Sequence, residues 1–231
     1  MCRFIIITLL VLIFNSCKEK DNTDFPAIDY SYFPVDTGKW AVYQVEEITI
    51  DSAISLYDTV RYQIKEVYES YFPDNENRRT VRIERFIREE AGDPWEMKDV
   101  WAANLIPSSA QIVEENYRYM KIAFPANINE TWNGNLYNIF DPETYEITSI
   151  DEPYSINGLN FDSVLTVTQL LDSTLIYKYH KEEKYAKNIG LISKIDLNIE
   201  SQNIAYPWVP VEDRPTQATI YRQKIIDYGW E

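Results

Sequence analysis

Residues 191–201 read LISKIDLNIES, and this stretch decides the fold class. Apolar and polar residues alternate along it, which predicts a β-strand because successive side chains of a strand point to opposite sides. We expect one face to be buried and the other to be solvated, as is typical of antiparallel sheets. The expected buried face carries Leu191, Ser193, Ile195, Leu197 and Ile199, and the expected solvated face carries Ile192, Lys194, Asp196, Asn198 and Glu200.

The same alternation recurs along most of the chain and predicts about ten strands. The other candidate strands are 39–50, 57–68, 78–87, 95–102, 113–124, 144–150, 164–171, 175–185 and 219–226. The residues that we expect to point inward in the second and third of these are Val60, Tyr62, Ile64, Val81, Ile83 and Ile87. The one candidate for helical structure is a short turn near residues 108–115.

Long strands and only six glycines favour a curved antiparallel meander. We therefore predict a mainly β fold, a half-barrel or open barrel, with a two-sheet sandwich as the alternative. Residues 206–215 contain three prolines and cannot lie in a central strand, so we expect a loop or an edge crossing there.

The N-terminal segment predicts export. Residues 4–14 form an apolar run after Arg3. As a helix this run would rise about 16 Å, roughly half of the ~30 Å hydrocarbon core of a bilayer. A secretory signal peptide is therefore favoured over a membrane span.

The residues that follow, Ser16 and Cys17, resemble the lipobox of bacterial lipoproteins, although Phe14 stands where that family usually has leucine. The resemblance implies cleavage before Cys17 and acylation of its thiol, for example with palmitate. Two or more acyl chains hold a protein stably on a bilayer. The predicted organisation is a signal peptide over 1–16, a lipidated tether over 17–29, and a single all-β domain over 30–231.

Composition excludes some classes of function. The formal net charge is −15, which argues against nucleic-acid binding because phosphate contacts need clusters of lysine and arginine. The two cysteines are Cys2, in the predicted signal peptide, and Cys17, so we expect no disulfide. His180 is the one histidine and lies on the polar side of its strand, which leaves no metal site and no catalytic triad. We expect no cofactor.

Adjacent acidic pairs such as Glu114-Glu115 and Glu182-Glu183 suggest a glycosidase at first sight. Neighbours on a strand point to opposite faces, so each pair is split. A hydrolase would need carboxylates from different strands in one cleft, with a raised pKa.

Trp208 and Tyr206 lie among the prolines of residues 206–215. They form a candidate aromatic platform for a sugar or a peptide. The alternative, which we favour, is that Trp208 fills the open end of the core.

Several stretches, in this order, resemble a family of uncharacterised Bacteroidota outer-membrane lipoproteins. They are residues 32–48, 114–125 with WNGN at 132–135, 182–194 and 221–229. The most specific piece is 185–192, a predicted hairpin in which Asn188 and Gly190 tolerate a positive φ. The resemblance implies an outer-membrane location and adds no site.

These observations predict a non-enzymatic interaction or binding module. We expect acylated Cys17 to hold it on the outer membrane, at the periplasmic face or the cell surface. Its expected partners are the lipid bilayer and an envelope protein or glycan, not nucleic acid. The alternatives are a carrier of an apolar ligand in the half-barrel and, third, the carboxylate-dependent hydrolase.

Overall fold

The computed structural model describes residues 28–204 and 208–231. The predicted signal peptide, Cys17, most of the tether and Tyr206 lie outside the described residues. Within them, no helix is both long enough and apolar enough to cross a bilayer.

The described chain forms twelve strands and two single-turn 3-10 helices. The strands are β1 Lys39–Asp51, β2 Leu56–Pro73, β3 Arg79–Arg88, β4 Glu96–Ile106, β5 Ser109–Glu114, β6 Tyr117–Ala123, β7 Thr131–Asn133, β8 Thr144–Ile156, β9 Leu159–Ser173, β10 Tyr177–Ala186, β11 Gly190–Glu200 and β12 Gln217–Trp230. The 3-10 turns are Ser52–Ile54 and Val211–Asp213.

All twelve strands belong to one antiparallel sheet in the order β6-β5-β4-β3-β2-β1-β12-β11-β10-β9-β8-β7. The sheet coils into a barrel that is nearly closed, with one unsealed seam. The prediction of an open barrel is therefore confirmed, and the sandwich alternative is wrong. The order consists of two six-stranded meanders, β1 to β6 and β7 to β12, which are joined along β1 and β12.

The turn chemistry of the sequence is confirmed at the hairpin between β10 and β11, where Asn188 and Gly190 have φ values of 62° and 88°. The predicted strand 113–124 is instead a hairpin of β5 and β6, because Glu115 and Asn116 both adopt positive φ and reverse the chain. The predicted helical turn at 108–115 is wrong, because Ser109–Glu114 pairs as a strand with both β4 and β6.

One end of the barrel, here called the closed end, is filled by apolar side chains. The segment before β1 inserts Tyr32 and Phe33 into this core. Tyr32 also donates a 2.7 Å hydrogen bond to Asp151, which in addition contacts the Lys187 ammonium at 2.7 Å and accepts from Ser163 at 2.6 Å. The largest core cluster includes Tyr68, Val81, Ile83, Ile122, Ile147, Leu165, Val167 and Tyr185.

The predicted orientation of β11 is wrong over most of its length. Lys194 pairs with Gln223 and Asp196 with Tyr221, and Gln223 in turn pairs with the fully buried Val45. Lys194, Asp196 and Asn198 therefore point into the barrel. Their apolar neighbours Ile195, Leu197 and Ile199 lie on the outside.

A second apolar cluster explains the reversal. Ile199, Ala218 and Ile220 on the outer face pack against Val211, which lies in the crossing that follows β11. The described part of the proline-rich segment, residues 208–215, is thus a loop with one 3-10 turn, as predicted, and Val211 in it covers the outside of the sheet. Ile192 also belonged to the expected solvated face, but it shares the inward face of Lys194 and lies in the core.

The inward positions predicted for β2 and β3 are confirmed for the buried residues Ile64, Val81 and Ile83. Val60 shares the inward face but is 47% exposed, because it lies near the opposite, open end of the barrel.

The seam lies between β6 and β7. Three hydrogen bonds cross it: Met120 N to Gly134 O at 2.9 Å, Trp132 Nε1 to Met120 O at 2.8 Å, and Asn138 Nδ2 to Arg118 O at 3.1 Å. At Gly134 the backbone lies against the Tyr145 ring, and a Cβ atom there would come within 2.2 Å of it.

We predict that Gly134→Ala destabilises the barrel, because Tyr145 and Ile147 beside it are core residues that cannot move away freely. The expected loss in the free energy of unfolding is about 2 kcal/mol, as for other overpacked sites, measured by urea denaturation. Gly92→Ala is the matched control, since a Cβ at Gly92 meets nothing within 4 Å. Equal midpoints for the two variants would contradict this account of the seam.

Candidate functional site

The barrel interior changes character from the closed end to the open end. Next to the apolar core lies a layer of buried charges, and beyond that layer the barrel opens into a chamber that is accessible from outside. We call the charges the ion layer; its members are Lys39, Glu66, Arg85, Asp99, Glu114, Lys121, Glu183 and Lys194.

The first half of the ion layer is centred on Arg85, whose side chain is 3% exposed. Its guanidinium contacts Glu66 at 3.1 Å and Asp99 at 3.0 Å. The Trp101 ring lies 3.4 Å from the guanidinium carbon. Burial alone would lower the pKa of Arg85, but the two carboxylates outweigh burial and raise it. Arg85 is therefore a permanent, fully paired charge.

The second half is centred on Lys121, which lies 2.7 Å from Glu114 and 3.0 Å from Glu183. Lys194 contacts the same two carboxylates at 3.3 and 3.4 Å. Glu183 also accepts a 2.5 Å hydrogen bond from Tyr185. Two cations and two anions thus neutralise one another across the barrel.

A β-bulge makes this contact possible. The register of β5 and β6 shifts at Ala110 and Gln111, so that Lys121 has no residue opposite it. An extra residue of this kind turns its side chain relative to the strand alternation. Lys121 thereby points inward beside Ile122 and reaches β10.

The ionised state of the two glutamates follows from these contacts. Burial would raise the pKa of each carboxyl, but the neighbouring lysines lower the pKa of Glu114 to about 2 and also lower the pKa of Glu183. The sequence left open whether carboxylates from different strands meet, and these two do. Their lowered pKa values are the opposite of what a general acid requires.

Lys39 is buried at the edge of the ion layer. Its ammonium donates to Pro34 O at 3.3 Å and lies 3.8 Å from the centre of the Tyr68 ring. Burial lowers its pKa to about 7, although Glu66 and Asp36 act in the opposite direction. Burial thus disfavours the charged form of Lys39.

A small cavity of about 20 Å³ lies within the ion layer. Trp101 Nε1 and Gln223 Nε2 belong to side chains that line it, and neither atom has a hydrogen-bond partner among the described residues. This volume matches a single water molecule, which would satisfy such donors. This cavity is therefore too small for a larger ligand.

The chamber occupies the open half. Its outer section measures about 640 Å³ and its inner section about 600 Å³, and Lys181 and Asp196 line both. The outer section is lined by Glu47, Leu170, Tyr179, Thr219 and Tyr221, and the inner section by Glu114, Tyr119, Phe140, Glu143 and Gln169.

Phenol and carboxylate pairs dominate the chamber mouth. Tyr62 donates to Glu47 at 2.5 Å, and Tyr179 donates to Glu200 at 2.6 Å. The Tyr179 ring stacks on Tyr177 with a centroid distance of 4.8 Å. The pKa of Tyr179 is raised first by its hydrogen bond to Glu200, so its hydroxyl stays a donor at neutral pH.

Two side chains face the chamber without a close partner. The Lys181 ammonium lies 3.6 Å from Glu143 and 3.8 Å from Asp196, both longer than a hydrogen bond. Gln169 is 9% exposed, and its Nε2 has no hydrogen-bond partner within the described part of the chain. Gln169 shares the inward face of Leu165 and Val167 on β9 and lines the inner section, and a register shift between β9 and β10 leaves no residue opposite it.

The residues singled out in the sequence lie elsewhere. Trp208 is 75% exposed on the outer crossing, so the interpretation that it fills the core is wrong. His180 lies on the outer face, 3.7 Å from Glu182. Among residues 28–204 and 208–231, no group of three or more histidine, cysteine, aspartate or glutamate residues could hold a metal ion.

We compared the chain with protein-family models, with curated proteins and with solved structures, and none of the three comparisons found a match. The resemblance to Bacteroidota lipoproteins therefore stays a prediction.

We predict that Glu114→Gln destabilises the protein by about 3 kcal/mol at pH 7, because it leaves the buried Lys121 and Lys194 with one carboxylate. In the wild type, the stabilisation from Glu114 is complete above its unfolded pKa of about 4.5 and is lost as the pH falls through its folded pKa of about 2. The variant should therefore show a shallower acid transition in urea denaturation from pH 7 to pH 2.

Its exposed neighbour gives the control. Glu115 lies in the turn between β5 and β6, so Glu115→Gln removes the same charge without touching the ion layer. Parallel pH profiles for Glu114→Gln and the wild type would overturn the assignment of this acid transition.

Proposed function

We propose that this protein is a non-enzymatic binding module of the cell envelope and that acylated Cys17 holds it on the outer membrane. The ligand of the protein occupies the chamber. The observation that carries the proposal is the chamber itself. Its two sections of about 640 and 600 Å³ fall in the usual range for small-molecule sites. A rigid twelve-stranded sheet holds the lining residues in place.

The geometry also suits an N-terminal anchor. The segment before β1 enters the domain at the closed end, where Tyr32 and Phe33 are buried. Ile28 is eleven positions after Cys17, a reach of about 36 Å when extended. An anchor at Cys17 would therefore hold the closed end near the bilayer and leave the chamber mouth accessible.

The structure favours this proposal over the apolar carrier. A carrier needs a continuous apolar cavity, whereas the closed half is filled by its own side chains. The chamber does offer Leu170 and tyrosine rings, but charged groups such as Glu47, Lys181 and Asp196 line the same space. An apolar ligand would have to desolvate these charges without pairing them.

The hydrolase alternative receives less support. The carboxylates that do meet across strands, Glu114 and Glu183, are paired with lysines and have lowered pKa values. A glycosidase needs a protonated acid beside an ionised partner. Among the described residues, Glu114 and Glu183 do not form such a pair, because the pKa of each is lowered and both are ionised.

The anchoring part of the proposal is tested on the chain expressed in a diderm bacterium. We expect mass spectrometry of the mature N-terminus to find Cys17 as the first residue, with acyl chains attached. Cys17→Ser should release the protein from the outer-membrane fraction into the soluble envelope fraction, because the two-chain anchor is lost. An unmodified mature chain that begins at another residue would contradict it.

The chamber part is tested by filling the chamber. Thr219→Trp places an indole in the outer section, whereas Lys224→Trp, on the same strand β12, points to the outer face and is the matched control. After incubation with small molecules extracted from envelopes, native mass spectrometry should show an adduct on the wild type and on Lys224→Trp. Thr219→Trp should lose at least nine-tenths of it. An adduct retained by Thr219→Trp would place binding elsewhere.

A further inference from the structure

We infer that the ligand of the chamber is an organic cation, bearing a primary ammonium or guanidinium group next to a carbonyl or hydroxyl acceptor. The inference rests on the proposed function and names the class of molecule that the chamber would take. It follows from the charges, the aromatic rings and one unpaired amide that face this space.

The first observation is an excess of negative charge. The carboxylates that line the two sections are Glu47, Glu114, Asp141, Glu143 and Asp196. Three lysines line them as well, but Lys121 and Lys194 are neutralised by Glu114 and Glu183 in the ion layer. Lys181 alone is left to balance the remaining carboxylates. A cationic ligand would gain from this field, and an anionic one would be repelled.

The second observation is the position of Lys181. Its ammonium lies between Glu143 and Asp196, at 3.6 and 3.8 Å, where the chamber sections join. These distances are too long for hydrogen bonds, so Lys181 is attracted to the two carboxylates by charge alone. The chain's own ammonium thus marks where the charge of a ligand would lie.

The third observation is the aromatic wall. Tyr179 and Tyr221 line the outer section, and Tyr119 and Phe140 line the inner one, with 6.3 Å between their nearly parallel rings. Ring faces beside carboxylates attract organic cations through the ring quadrupole. The phenols of Tyr62 and Tyr179 donate to Glu47 and Glu200, so these carboxylates are held in place and the hydroxyls do not compete as anions.

The fourth observation supplies the neutral part of the ligand. Gln169 is buried beside the inner section, and its Nε2 lacks a hydrogen-bond partner in the part of the chain that the structure describes. An unsatisfied buried donor is costly unless an acceptor reaches it. A carbonyl or hydroxyl oxygen next to the ligand's cationic group would satisfy it, whereas a plain alkylamine would not.

The test uses matched probes with the purified full-length chain. N-acetyl-arginine amide carries a guanidinium and carbonyl acceptors, and N-acetyl-citrulline amide has the same shape without the charge. N-acetyl-glutamate amide and decanoate represent anionic and apolar ligands. In isothermal titration calorimetry we expect the arginine probe to bind at least tenfold more tightly than any of the other three.

Variants of the chamber sharpen the test. Asp196→Asn and Glu143→Gln should each weaken binding of the arginine probe severalfold. Lys181→Met should strengthen it severalfold, because it removes the competing ammonium. For an anionic ligand, the loss of Lys181 would instead weaken binding, so the sign of this change separates the two classes. Glu152→Gln, an exposed carboxylate away from the chamber, should change nothing.

The outcomes distinguish the two proposals. Binding of the citrulline, glutamate or decanoate probe at equal or greater strength, abolished by Thr219→Trp, would overturn the cation inference and leave the chamber as a binding site. Weaker binding of the arginine probe by Lys181→Met would also overturn it. No binding of any probe, together with no chamber-dependent adduct from envelope extracts, would overturn both. Circular dichroism confirms that each variant is folded.

Discussion

The contact on which the rest of the structure depends is the one between Lys121 and the carboxylates of Glu114 and Glu183. It joins the first meander to the second across the interior, at 2.7 and 3.0 Å. Elsewhere β6 and β7 are linked by a few hydrogen bonds, so this buried pairing adds a second connection beside the seam. The same charges form the inner boundary of the chamber, because Glu114 and Lys121 line its inner section and the apolar core lies on their other side.

Balanced charge explains why such a polar interior is tolerated. An isolated buried ion costs several kcal/mol, but each cation of the ion layer lies beside a carboxylate or an aromatic ring. The layer separates a half that is packed from a half that is open. The closed half supplies rigidity, and the open half exposes charged and aromatic groups that are already held in position. This division supports a binding role for the chamber.

The fold was largely predictable from the sequence, whereas the site was not. Strands follow from alternation, and the reversal at Asn188 and Gly190 follows from residues that accept positive φ. The sequence does not reveal which face of β11 points into the barrel, because both faces of this strand are covered. Val211 covers Ile199 on the outside, and the ion layer surrounds Lys194 on the inside. Lys121 and Glu183 are 62 residues apart, and neither local pattern nor spacing reveals their contact.

The pairing of β1 with β12 has a consequence for the order of folding. β1 pairs on one side with β2, the next strand along the chain, but on the other side with the distant β12, where Lys39 pairs with Trp230. The segment that carries Tyr32 likewise makes its hydrogen bond only after Asp151 has been synthesised, and the ion pair of Asp151 needs the still later Lys187. A topology dominated by such distant contacts folds slowly and cannot be completed as the chain emerges. Until β12 is in place, the edge of β1 that it covers has unpaired backbone N–H and C=O groups, which are a template for association with another chain.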